Sequence, residues 1–100
     1  MEITSSLDGT KATIALSGKL TVATSQDLEE AVRSLADEAV NFDIDLTDLT
    51  YTSSAGLRVF LATNRIASGK GGAMRLLHPS EEVMEIFEMT GLSDVLEIEG

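Results

Sequence analysis

The sequence predicts an α/β fold: a small mixed, mostly parallel β-sheet with an N-terminal hairpin and three to four helices. Three observations lead there. Asp8-Gly9 is a strong hairpin-turn signal between two strand-like runs. Beyond it, helical and strand patterns alternate, which implies parallel strands joined by crossovers. The strand pattern at residues 42–47 alternates apolar and polar side chains, whereas helices on both faces of a sheet would demand a continuous apolar run. The helices are therefore expected to crowd onto one face.

Residues 2–7 (EITSSL) read as a weak first strand. In the next run Ala12, Ile14 and Leu16 fall on one face and Thr13, Ala15 and Ser17 on the other. Thr24-Ser25-Gln26-Asp27 opens a helix, with Thr24 or Ser25 as N-cap and acids in the first turn. Leu28, Val32, Leu35 and Ala39 recur at helical spacing, so this helix is predicted to run to about Val40. Phe42, Ile44 and Leu46 form a strand ending near Thr47, with Asp43 and Asp45 on its solvated face and Asp48 to Thr52 as a loop.

The second helix is predicted from Ser54 to about Ser68. Leu57, Phe60 and Leu61 define its core side, and Val59, Ala62, Thr63 and Ile66 a further apolar side. Its only charges are Arg58 and Arg65. A helix this apolar is central in the fold or lends part of its surface to a partner. Ser68 to Gly72 turns the chain into a short strand over Ala73–Leu77. Ser80 caps a third helix with Glu81 and Glu82 in its first turn and Val83, Ile86, Phe87 and Thr90 inward. Gly91 stops it, Leu92 packs back on Phe87, and Val95 to Ile98 adds an edge strand. Residues 1–100 are expected to form a single domain.

Composition narrows the function classes. Hydrophobic residues make up 43% of the chain, enough for a core, and the absence of cysteine excludes disulfides and thiol chemistry. A formal charge of −10 argues against nucleic-acid and anionic-membrane binding, which need a Lys/Arg patch. No apolar run approaches the roughly 18 residues of a membrane span, and MEITSS carries no basic n-region. The expected location is the cytoplasm.

Candidate chemistry is sparse. His78, between a strand and a helix, has no sequence signal tying it to a serine. Gly69-Lys70-Gly71-Gly72 lacks phosphate-loop spacing and follows a helix instead of opening one, so it reads as a turn. Asp43, Asp45 and Asp48 are expected to serve solvation and turn formation, not a metal. No cofactor is expected. Ser53-Ser54 remains, at the start of the second helix. A helix N-terminus offers free N–H donors and partial positive charge, a natural home for a phosphate dianion. Phosphoserine there would add about −1.5 to −2 charges without melting the helix.

Three stretches, IALSGKLTVATSQDLEEAV, FDIDLTDLTYTSSAGLRVFL and MRLLHPSEEVMEIFEMTGLSDVLEI, together resemble the STAS domains, specifically the single-domain anti-sigma factor antagonists. The second corresponds to the family signature, of the form DLSxxxxxDSSGLxxL, and the third to its closing helix with TGL. The resemblance implies a signal-transduction module for transcription regulation, with no catalysis of its own. In its unphosphorylated form it would bind an anti-sigma factor serine kinase and release the sigma factor. That kinase would phosphorylate one serine of the motif, and a metal-dependent, PP2C-type phosphatase would reset this partner switching.

Aligning the signature with Ser53-Ser54-Ala55-Gly56 carries the phosphoserine onto Ser54. Two expected acids are missing: Ser53 replaces the one before the acceptor, and Lys19 stands in a GKLT stretch where the family often reads GELD. Ala55 replaces the second serine, and Ser53 remains a rival acceptor. The implied contact surface comprises Thr21, Thr24, Ser53, Ser54, Ala55, Gly56, Arg58 and Ala62. The alternative is a non-phosphorylated STAS adaptor subunit of a larger complex, such as a lipid-transport ATPase.

Overall fold

A computed structural model describes residues 1–100 throughout. Strands β1 (Glu2–Asp8) and β2 (Lys11–Leu20) form the antiparallel hairpin around Gly9, whose φ of 62° is the left-handed conformation such a turn needs. Then follow α1 (Val22–Leu35), β3 (Asn41–Thr52), α2 (Ser54–Gly69), β4 (Met74–Leu77), α3 (Glu81–Met89), a 3-10 turn (Leu92–Asp94) and β5 (Glu97–Glu99). The strands lie in the order β1-β2-β3-β4-β5, and every pair after the hairpin is parallel.

That order explains the one-sided layering. Each crossover steps to the next strand in the same direction, so connections of one hand put all three helices on the same face. Beneath them lies a single core that includes Ala12, Ile14, Leu16, Phe42, Ile44, Leu46, Met74, Leu76, Val83 and Phe87. Phe60 of α2 and Phe87 of α3 meet edge to face, with ring centroids 6.1 Å apart.

The opposite face carries no helix and is held by charge. Asp43 lies on it at the centre of β3 and is 5% exposed. Its carboxylate accepts from Arg75 Nε at 2.9 Å and Arg75 Nη2 at 2.8 Å, and Lys11 Nζ lies 2.7 Å away. Arg75 reaches on to Glu99 at 2.8 Å. One ladder of side chains thus ties β2, β3, β4 and β5 together. The expected solvated role of Asp43 is therefore corrected: neighbours on both adjacent strands cover it. Burial alone would raise its pKa, but the hydrogen bonds and charges of Arg75 and Lys11 outweigh burial and lower it. The same pairing raises the Arg75 pKa.

Two further expectations need correction. Helix α1 ends at Leu35, short of Val40, and begins three residues early: Thr21 is its N-cap. Thr21 Oγ1 accepts from the Thr24 amide and Thr24 Oγ1 from the Thr21 amide, a reciprocal capping box, and no acid lies in the first turn. Strand β3 does not stop at Thr47 but continues to Thr52. Its pairing with β2 shifts register twice, between Ala15/Ser17 and between Gly18/Lys19. Each shift absorbs one extra β3 residue, so the buried positions become Leu46, Leu49 and Thr52, three apart instead of two. Asp45 braces the first bulge by accepting from the Thr47 amide at 3.0 Å and hydroxyl at 2.6 Å, and these hydrogen bonds lower its pKa.

The depressed pKa values set a pH dependence. The folded carboxyls of Asp43 and Asp45 ionise at lower pH than their unfolded counterparts, so their contribution is full above about pH 4 and is lost as pH falls through the folded values. Asp43→Asn should cost about 1–3 kcal/mol at pH 7, because it leaves two cations facing a neutral group. Urea unfolding between pH 7 and pH 3 should show this gap narrowing towards acid.

Candidate functional site

The candidate site lies where β2 and β3 end and α1 and α2 begin. Because β3 runs to Thr52, no loop precedes α2. Ser53 is pinned from several sides: its amide donates to the Leu20 carbonyl at 2.8 Å, extending the β2–β3 ladder by one residue. Its carbonyl accepts from Leu57 N at 3.1 Å, and its hydroxyl accepts from Gly56 N at 3.2 Å as the N-cap of α2. The sequence called for a helix starting near Ser54, and it starts there.

Ser54 differs from its neighbour. It is the first helical residue, it is exposed, and its hydroxyl makes no hydrogen bond within the protein, whereas Ser53 is partly buried and its hydroxyl is engaged in the cap. The two rival hydroxyls thus occupy distinct settings.

Gly56 has a structural role that the sequence reading missed. It is buried, and a Cβ at this position would lie 2.5 Å from both Leu20 Cδ2 and Thr52 Oγ1. Its small size seats α2 on the ends of β2 and β3. Gly72, in the predicted turn, is fixed in the same way, since a Cβ there would collide with the Val40 carbonyl. Thr21 and Thr24 stand beside the site, at the start of α1. Their hydroxyls are committed to the capping box, and Thr24 Oγ1 also donates to the Lys19 carbonyl at 2.9 Å.

A groove of about 380 Å³ runs between α1 and α2 away from this corner. Val32, Val59, Ala62 and Ile66 contribute its apolar lining, and Ser25, Glu29, Arg33 and Arg58 its polar part. Of the predicted contact residues, Ala55, Arg58 and Ala62 line this groove, while Thr21, Thr24, Ser53, Ser54 and Gly56 do not. Val22 falls within the Thr21–Thr24 stretch expected to touch a partner, whereas Tyr51 was not picked out from sequence. They are 66% and 45% exposed at the same end of the sheet, and for Tyr51 a large aromatic residue within the signature stretch was the available signal.

The other candidates lie elsewhere. His78 follows β4 in a left-handed conformation (φ 56°), with its amide donating to the Glu99 carbonyl at 2.7 Å. Asp43 is engaged by Lys11 and Arg75, and Asp45 by Thr47. No helix is long and apolar enough to cross a membrane.

This architecture, a one-sided mixed sheet with a serine-capped helix at its C-terminal edge, is that of the STAS domains. The family model described as "Mlab, STAS domain" matches residues 3–97, and the chain belongs to this family. Within it the chain falls among the anti-sigma factor antagonists. It is 32% identical over 85 residues to the anti-sigma-B factor antagonist of Bacillus subtilis (strain 168), covering 85% of this chain and 78% of that protein. Two solved structures share the fold. The anti-sigma factor antagonist SpoIIAA in its unphosphorylated form superposes with a TM-score of 0.86 at 18% identity, over 97% of this chain and 87% of that one. The Bacillus cell fate determinant SpoIIAA in the phosphorylated form gives 0.78 at 17% identity, over 97% and 90%.

The seating of α2 can be tested through stability. Gly56→Ala should destabilise by about 1–3 kcal/mol through overpacking against Leu20 and Thr52. Ser53→Ala should cost about 1 kcal/mol through the lost cap. Ser54→Ala should stay within about 0.5 kcal/mol, as for a surface site. Denaturant midpoints at neutral pH would rank the three.

Proposed function

We propose that this chain is a phospho-regulated anti-sigma factor antagonist, a binding module without catalysis of its own, whose switch is Ser54. In its unphosphorylated form it binds an anti-sigma factor serine kinase in the cytoplasm and so frees the sigma factor. The kinase transfers the γ-phosphoryl group of ATP to Ser54 Oγ. The hydroxyl proton is lost and ADP leaves. A PP2C-type phosphatase hydrolyses the ester and returns the serine.

The observation that carries the choice of residue is the division of labour at the start of α2. Ser53 spends its hydroxyl on the Gly56 amide, while the Ser54 hydroxyl is exposed and unengaged. A phosphate on Ser54 would sit at the helix N-terminus, where its charge is tolerated. That SpoIIAA exists in phosphorylated and unphosphorylated forms, and that the Bacillus subtilis relative is an anti-sigma-B factor antagonist, supports the reading. The partner surface takes in Thr21, Thr24, Ser53 to Ala55, Arg58 and Ala62, extended by exposed Val22 and Tyr51, while buried Gly56 seats α2 beneath it. Repulsion and desolvation at this surface would weaken binding once the phosphate is present.

Binding to the cognate kinase should separate the variants: Ser54→Ala binds at least as tightly as wild type, and Ser54→Asp at least tenfold more weakly. Phosphopeptide mapping of the protein from its native cell should find partial occupancy at Ser54. Phosphate on Ser53 would move the switch by one residue. No phosphate under any growth condition, with a transporter ATPase recovered in place of a small kinase, would favour the adaptor subunit.

A further inference from the structure

Of the seven cationic side chains, Lys11, Arg33 and Arg75 are ion-paired, and Lys19, Arg58, Arg65 and Lys70 are not. Arg58 is exposed, lines the α1–α2 groove and lies four residues after Ser54 on the same helix. Side chains four apart on a helix share a face, and an acid N-terminal to a base at that spacing is the favoured orientation. Glu29, the carboxylate lining the groove, is held by Arg33 at 2.6 Å, so Arg58 is the groove's free cation. Lys19 precedes buried Leu20 on β2, and strand alternation directs it towards the uncovered face of the sheet, away from α2.

We propose that Arg58 is the internal receiver of the Ser54 phosphate: phosphorylation closes an ion pair between residues 54 and 58 and withdraws the free cation from the α1–α2 groove. This deepens, and rests on, the reading of Ser54 as the modified residue. In the unphosphorylated protein Arg58 is available to a partner carboxylate, in a chain whose overall charge is otherwise strongly negative. In the phosphorylated protein the same guanidinium is occupied by two or three acceptor oxygens of its own helix. One modification then acts twice on the partner surface, adding negative charge at the helix start and removing a positive contact one turn further on.

The test uses the full chain with phosphoserine installed at position 54 by genetic encoding, so it does not depend on whether the cell modifies Ser54. The ³¹P resonance is titrated for wild type, Arg58→Gln and Arg58→Lys. The second ionisation of phosphoserine ordinarily falls near pH 6. Pairing predicts a midpoint lower in wild type than in R58Q by about 0.3 unit or more, with R58K between them. In about 1 M salt the gap should close, and the Arg58 Nε–Hε resonance should move on phosphorylation. Equal midpoints in wild type and R58Q, with an unmoved Arg58 resonance, would overturn the pairing. Failure of the Ser54 reading would instead appear in the phosphopeptide map, with this titration unaffected.

Discussion

The structure depends on one strand. β3 is the middle of five, and its two halves do different work. The first half, from Phe42 to Asp45, is paired on both sides, with β2 and with β4. Its apolar side chains enter the core while Asp43 gathers Lys11 and Arg75 on the uncovered face. The second half pairs with β2 alone and carries two bulges. Bulges increase local twist and re-aim side chains. Here they keep Leu46, Leu49 and Thr52 buried as the strand runs past its shorter neighbour β4. The strand thereby delivers Ser53 in register with Leu20, and α2 starts without an intervening loop.

This rigidity gives the helix start its chemical character. Ser53 is bonded through its amide, carbonyl and hydroxyl, and Gly56 is pressed against Leu20 and Thr52. The next residue outward, Ser54, inherits a fixed position without being a fixing element. A charge placed there meets the partial positive end of α2 and a free arginine one turn away, so it need not move the backbone to be felt. The groove between α1 and α2 begins at the same corner, with Ala55 and Arg58 in its lining.

Much of this was legible in the sequence. The hairpin, the alternation of strands and helices, the third helix with its Ser80 cap and Gly91 stop, and the crowding of helices onto one face follow from turn chemistry and periodicity that local residues express fully. The C-terminal half of β3 was not legible, because two bulges turn a period of two into a period of three, which resembles neither a strand nor a helix. The start of α1 was hidden because Thr21, Thr24 and Ser25 are all competent caps. The winner is decided by the Thr21–Thr24 reciprocity and the Lys19 carbonyl. Asp43 looked solvated because each of its two partners lies 32 residues away from it, one before and one after, and they meet only when the strands pair. The signature pointed to Ser53-Ser54 as a pair. It favoured Ser54 by alignment but left Ser53 a rival, and it did not show that the Ser53 hydroxyl caps the Gly56 amide.

The outer edge of β1 has no neighbour, and it bears on how copies of this chain behave in a crowded cell. Exposed strand edges are templates for sheet extension between molecules. An antiparallel ribbon of two β1 strands centred on Ser5 would set Glu2 of each copy against Asp8 of the other, placing like charges at both ends. The segment between them, Ile3 to Leu7, has neither proline nor lysine to discourage pairing. The protection against such pairing of two copies therefore rests on the Glu2 and Asp8 carboxylates and on the overall negative charge.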